Sequence, residues 1–353
     1  MTEGTLAIYA PLAWFGPGRT VRDAAVVLSG GEVVFAGPAG EAPGAERIIE
    51  LDGFLMPAAA DRHVHIGSLD PAMVLAGGVT AVRDMGWSAD EIFSLADASE
   101  MPTFNGPLIR AAGPMITTKG GYPLTAGGAP DGTGVEVTED PQDAIEVVHD
   151  LARRGAAHVK VALNIEDGPT VSDATLAAIV QTAQELDLPV AAHAQGPGQV
   201  ERALGAGVDE LAHTPWTDRL SDATLEALAR TLRFVSTLDI RSYGRDTPEI
   251  RTALDNLRRF AQAGGRVHYG TDMGHGRIPL GIHGRELVLM REAGLAAEQV
   301  LGTLIRSPLE PGTPADMIGV AGDPFDSLEA LSELVLVVRG GRVVAATDSG
   351  APS

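Results

Sequence analysis

Two histidines stand one residue apart in the stretch AAADRHVHIGS, Ala58 to Ser68, directly after an apolar run. In a strand, side chains at i and i+2 share a face, so His63 and His65 project together while Val64 turns into packing. Two imidazoles on one face can be two ligands of one metal ion. Alone, the pair reads equally well as a polar strand end. The chain has only nine histidines, and others fall in telling places. His193 lies at the end of PVAAHA, His213 at the end of ELAHT and Asp272 at the end of VHYGTD. Four imidazoles and one carboxylate suit zinc or a similar divalent ion. Lys160, inside HVKVAL, is the odd member. A protonated lysine beside metal ions is costly unless paired. It is either salt-bridged to an acid or, the favoured reading, a neutral amine that has reacted with CO₂. The resulting carbamate is an anion that can bridge two cations.

These residues need elements that bring them together. The middle of the chain alternates short apolar runs with segments of helical period, the rhythm of βα units. Eight candidate strands can be counted: MPAAADRHVHI, VTAVRDM, PLIRAAG, HVKVAL, PVAAHA, ELAHT, RFVSTL and VHYGTD. Between them lie helical segments such as VSDATLAAIVQTAQELD, with Leu176, Ile179, Val180 and Ala183 at helical spacing. Eight strand–helix pairs give a (β/α)₈ TIM barrel, and every residue named above lies toward a strand's C-terminal end, where barrel enzymes place their chemistry. An open doubly wound sheet competes, but no glycine-rich dinucleotide fingerprint follows the first strand. Both ends of the chain read as strand–turn–strand, with hairpin turns at Gly30-Gly31 and Gly340-Gly341. Residues 1–56 and 314–353 are expected to form one small composite β-sandwich, with the catalytic barrel, 57–313, inserted between them.

Composition narrows the function. The 353 residues carry a formal charge of −21 and are 44% hydrophobic, without an apolar run of membrane-spanning length. No Lys/Arg cluster stands out, so nucleic acid and anionic membrane surfaces are not expected partners. Cys is absent, which excludes disulfides, thiolate nucleophiles and Cys-based zinc sites. The N-terminal stretch has no basic n-region and carries Pro11, so it is a poor secretory signal and a cytoplasmic location is expected.

The ligand set resembles the amidohydrolase superfamily, in its binuclear subtype with a carbamylated lysine. TAVRDMG, RAAGPMITTKGGYP, HVKVAL, AAHAQGPGQVERALGAGVDELAHTPW and GTPADMIGVAGDPFDSL are similar to the branch of imidazolonepropionase-like enzymes and zinc-dependent prolidases. The resemblance runs over nearly the whole chain. It implies two divalent ions, with zinc expected: one held by His63, His65 and Asp272, the other by His193 and His213, with carbamylated Lys160 and a hydroxide bridging both. Two cations lower the pKa of a shared water and polarise a carbonyl. Asp272 would move the proton from nucleophile to leaving nitrogen. Two departures stand out. Branch members often carry a His just after the glycine pair where this chain has Tyr122 and Pro123, and the segment before the C-terminal strands is short.

Specificity in a barrel comes from its βα loops. Arg241, a candidate clamp for a substrate carboxylate, and Tyr243 follow strand seven; Trp87 follows strand two; Lys119 and Tyr122 follow strand three; His275 follows strand eight. Each also has a plain reading as packing or surface. Arg83-Asp84 could be an ion pair steadying a metal ligand. His149, His158, His268 and His283 read as non-ligands. The expected activity is hydrolysis of a C–N amide bond in a small, peptide-like or cyclic amide substrate. Follower-peptide removal from a natural product, lactone opening and deamination are the alternatives. A non-catalytic barrel is the weakest reading, since such relatives typically lose ligands. Oligomeric state, including a homo-oligomer, is left open.

Overall fold

The computed structural model describes residues 4–126 and 129–346. All eight expected barrel strands are present. One parallel sheet runs, in spatial order, through Gly134–Val137, Met115–Thr118, Val159–Asn164, Val190–Gln195, Glu210–Leu211, Arg233–Val235 and Arg266–His268. A second holds Ala59–Val64, Val79–Asp84 and Leu108–Ala111, also parallel. Backbone bonds join the two into a ring. At one seam Ala157 N–H donates to Ala111 O at 2.9 Å; at the other, Asp272 N–H donates to His63 O at 2.8 Å and His65 N–H to Met273 O at 2.7 Å. This second seam places the paired histidines beside Asp272, although 206 residues of chain separate His65 from it.

The strands read as buried runs because both faces are covered, as in any all-parallel sheet. Val159–Asn164 is buried at every position, so Lys160 is the exception in chemistry rather than in burial. The helices begin where the sequence provides caps. Asp140 accepts from Gln142 N–H ahead of Pro141–Arg153, Ser172 from Thr175 N–H ahead of Asp173–Glu185, and Ser221 from Thr224 N–H ahead of Asp222–Thr231.

The two ends of the chain meet in one sheet of eight strands. C-terminal Met317–Val320 pairs antiparallel with N-terminal Phe54–Pro57, which lies parallel to Thr5–Trp14. The expected hairpins are Thr20–Ser29 with Glu32–Pro38 and Leu334–Arg339 with Arg342–Ala346. The sheet curls until their turns touch: Ala315 N–H donates to Gly31 O at 2.8 Å and Gly341 N–H to Ala315 O at 3.0 Å. Leu6, Ile8, Phe15, Leu28, Leu55 and Met317 form a core of its own. Among the described residues, no helix is long and apolar enough to cross a membrane.

Candidate active site

His63, His65, Lys160, His193, His213 and Asp272 gather around one cavity of about 500 Å³. Lys160, expected toward the C-terminal end of its strand, is instead the second of the six residues Val159–Asn164. Each imidazole is oriented by a bond on its far side. His63 Nδ1 lies 2.7 Å from Ala212 O and His65 Nδ1 3.2 Å from Gly86 O, so each places its hydrogen there and presents a bare Nε2 inward. Those two Nε2 atoms lie 3.4 and 3.2 Å from Asp272 Oδ1, an atom that makes no hydrogen bond. Across the cavity, His193 Nε2 meets Gln195 Oε1 at 3.2 Å and His213 Nδ1 meets Thr237 Oγ1 at 2.9 Å. With hydrogens on those outer nitrogens, His193 Nδ1 and His213 Nε2 face each other as lone pairs at 3.0 Å. Converging lone pairs repel unless a cation stands among them. This donor set therefore fits divalent metal ions. Among the described residues, two groups bring their ligand atoms within 4.8 Å: His63, His213 and Asp272, and His65, Asp272 and His275. Asp272 itself sits at φ +62°, a strained conformation of the kind that collects at functional sites.

The electrostatics agree. Burial pushes His63, His193 and His213 down, His193 to about 3, which favours the neutral imidazole that binds metal. Burial opposes ionisation of Asp272, but His63, His65 and His213 outweigh it and hold the carboxyl well below its usual range. His65 is also buried, yet the carboxylates of Asp272 and Asp84 outweigh burial and raise it. Lys160 is 1% exposed and burial lowers its ammonium to about 7. Its Nζ has no hydrogen-bond partner, and the expected alternative of a salt-bridged lysine is not realised among the described residues.

The sequence profile of the amidohydrolase family matches residues 54–304. The chain belongs to the amidohydrolase family. It has that family's catalytic fold, with a candidate binuclear metal site at the place described. An uncharacterized protein of Mycobacterium tuberculosis is 28% identical over 342 residues, covering 85% of this chain and 87% of that one. Among solved structures, a Xaa-Pro dipeptidase with methionine bound in its active site superposes with a TM-score of 0.81 at 23% identity, over 96% of this chain and 99% of that one. Ochratoxinase from A. niger gives 0.82 at 19% identity, over 99% and 97%. Molinate hydrolase gives 0.81 at 16%, over 100% and 98%. These likenesses speak for the fold.

The loops of this amidohydrolase bring most of the expected substrate-side residues to the cavity. Arg241, Tyr243, Tyr122, His275 and Trp87 all line it. Tyr122 stacks on His193, ring centroids 4.8 Å apart. Arg241 lays its guanidinium over Trp216 at 3.7 Å from the ring centroid. Trp216 was not singled out by the sequence, although it stands three residues after His213; it also packs edge-on against His193 and His213. Gln195 and Thr237, which orient two imidazoles, were also missed: Thr237 reaches His213 from the next strand's end, whereas Gln195 stands two residues after His193 on the same strand face, a signal the sequence did offer. Lys119 is exposed and does not line the cavity. Nor do His149, His158, His268 and His283. The expected Arg83–Asp84 pair is not formed. Consecutive strand residues face opposite ways, so Arg83 binds Glu210 through two bonds of 3.1 and 2.8 Å. Asp84 instead accepts Ile66 and Gly86 N–H, bracing the turns beside His65 and Gly86.

Proposed function

We propose that this amidohydrolase is a binuclear metal-dependent hydrolase that cleaves the C–N bond of a small peptide-like or cyclic amide. The observation that carries this reading is the convergence of unprotonated imidazole nitrogens on Asp272 Oδ1 and on each other, around a buried lysine without a partner. His63, His65 and Asp272 would hold one ion and His193 and His213 the other. His213 also belongs to the group around His63, which puts the two positions side by side. Lys160, as its carbamate, would be shared; an amine lowered to about 7 by burial is the nucleophile that reaction with CO₂ needs. Zinc is the expected ion for this nitrogen–oxygen set.

When bound, the ions supply a more acidic water and a polarised carbonyl. The chain supplies the rest. Asp272 takes the proton of the attacking water and passes it to the leaving nitrogen; its Oδ1 has no competing hydrogen bond. Arg241, stacked on Trp216 and without an ion-pair partner among the described residues, binds a substrate carboxylate. Tyr122 walls the pocket over His193, and Tyr243 and His275 contact the substrate at the rim. The Xaa-Pro dipeptidase of the same fold supports a peptide-like substrate. Residues 1–56 with 314–353 would be the composite β domain and 57–313 the catalytic domain; residues 1–3 and 347–353 lie outside the described ones.

Elemental analysis of protein expressed with zinc and bicarbonate tests the core of this reading. The expected result is two ions per chain, hydrolysis of members of a dipeptide and cyclic-amide panel, and loss of that hydrolysis in His193→Ala and Asp272→Asn. A single ion per chain removes the bridging role of Lys160, and unchanged hydrolysis in both variants defeats the mechanism.

A further inference from the structure

The loop after the seventh barrel strand carries both Arg241 and Tyr243 to the cavity. Arg241 Nε is buried without a hydrogen bond, and Tyr243 sits at φ +45°. What fixes the loop lies behind it. Asp239 is 4% exposed and does not line the cavity. Its carboxylate is saturated by four donors. Oδ1 receives Ser242 Oγ at 2.6 Å, Gly244 N–H at 2.9 Å and Arg285 Nε at 3.1 Å; Oδ2 receives His283 Nε2 at 2.8 Å. The first two donors close the turn around Tyr243. The other two come from the start of the helix Gly284–Glu292. That helix grips the turn a second time, because Glu286 accepts Leu238 and Asp239 N–H at 2.8 Å each. His283 N–H is in turn bound to Tyr269 Oη at 2.8 Å, which ties the helix start to strand eight.

A long cation without a partner of its own takes its position from the backbone that carries it. A saturated, charge-assisted network makes that backbone rigid, and a displacement of about 1 Å at a binding group is costly. We infer that Asp239 is a positioning residue for substrate recognition: it sets Arg241 over Trp216 and turns Tyr243 toward the cavity, with His283, Arg285 and Ser242 as its partners. This rests on the reading of Arg241 as the carboxylate contact.

The test uses zinc-loaded full-length enzyme and a matched pair of probes, N-acetyl-L-methionine and N-acetyl-L-methioninamide, with affinities from calorimetry. The wild type is expected to bind the carboxylate about tenfold or more tighter than the amide, and Arg241→Ala to bind both alike. Asp239→Ala is expected to lose most of that preference while zinc content and amide affinity stay at wild-type levels. The double variant Asp239→Ala/Arg241→Ala should be no worse than Arg241→Ala. Ser242→Ala, a milder cut in the same network, should lose part of the preference, and it carries the test if Asp239→Ala does not fold. If the wild type shows no preference, or Arg241→Ala keeps it, the reading of Arg241 fails. If Arg241→Ala loses the preference while Asp239→Ala or, in its place, Ser242→Ala keeps all of it, the positioning role is overturned and Arg241 stands. Equal weakening of both probes together with zinc loss also overturns it, since that is what a purely structural residue would do.

Discussion

Lys160 concentrates the chemistry of the site in one side chain. A buried amine with no partner is an expensive thing to keep, and burial has already removed much of its claim to a proton. On the proposed reading, reaction with CO₂ would turn that liability into a ligand. Lys160→Ala is therefore expected to hold at most one ion per chain by elemental analysis. Wild-type protein loaded with ¹³C-bicarbonate and zinc should show a carbamate carbon signal that the variant lacks. On the same reading metal would bind only the folded chain, so chelation should lower the thermal midpoint of wild-type protein. Loading at a hundredfold excess over the dissociation constant stabilises by about 2.7 kcal/mol. The chelator effect on His193→Ala should be smaller, which differential scanning calorimetry can read.

At the level of elements, the barrel interior is braced below the site by charges. Glu210, in the short sixth strand, is 3% exposed and held by both terminal nitrogens of Arg83 from strand two, with His268 Nδ1 3.3 Å away. Burial opposes its ionisation, but Arg83 and His268 outweigh burial and hold the carboxyl well below its usual range. The sign follows by linkage. A carboxyl depressed in the folded state contributes stability above its unfolded pKa, about 4.3, and loses it as pH falls toward the folded value. Glu210→Gln is thus expected to be less stable than wild type at pH 7, with the gap closing as pH falls below about 4. Urea melts across that range would show it. Glu210→Ala at pH 7 leaves Arg83 half-buried and unpaired and should cost about 3 kcal/mol or more. A gap that widened with acid would contradict the assignment.

At the scale of the whole molecule, the chain's two ends are fastened where the hairpin turns meet. Gly341 sits at φ +75°, and a Cβ there would lie 1.9 Å from Gly30 O, a backbone atom that cannot swing aside. Gly341→Ala is expected to destabilise by roughly 1–3 kcal/mol through the forced left-handed conformation, and by more through the clash. The fall should appear as a lower thermal midpoint with the metal content of the folded protein unchanged. Glu298 ties this sheet to the barrel by accepting Trp14 Nε1 at 3.2 Å and Gly18 N–H at 2.7 Å.

How much of this was legible depended on the range of the interaction. The eight strands were readable because apolar runs and their turn residues are local, and the caps Asp140, Ser172 and Ser221 announced their helices within a few residues. The pairing of His63 with His65 was readable because a strand has a period of two. Placement of His193, His213 and Asp272 toward one end of the barrel followed from strand order, whereas Lys160 lies near the start of its strand. Trp216 under Arg241 and Glu210 on Arg83 were not readable, because each contact joins segments that only the folded barrel brings together; Gln195 on His193 follows the same period of two and was overlooked. The Arg83–Asp84 expectation failed on the same ground: neighbours in sequence face opposite sides of a strand, and each took a partner from across the fold. By itself, then, the sequence determined which residues could do the chemistry and which strand ends carry them. Only the tertiary structure decided which nitrogen of each imidazole faces inward, what holds Arg241 over the cavity, and which acid answers which cation. Those outcomes depend on hydrogen-bond geometry and burial, which arise when distant strands close on one another.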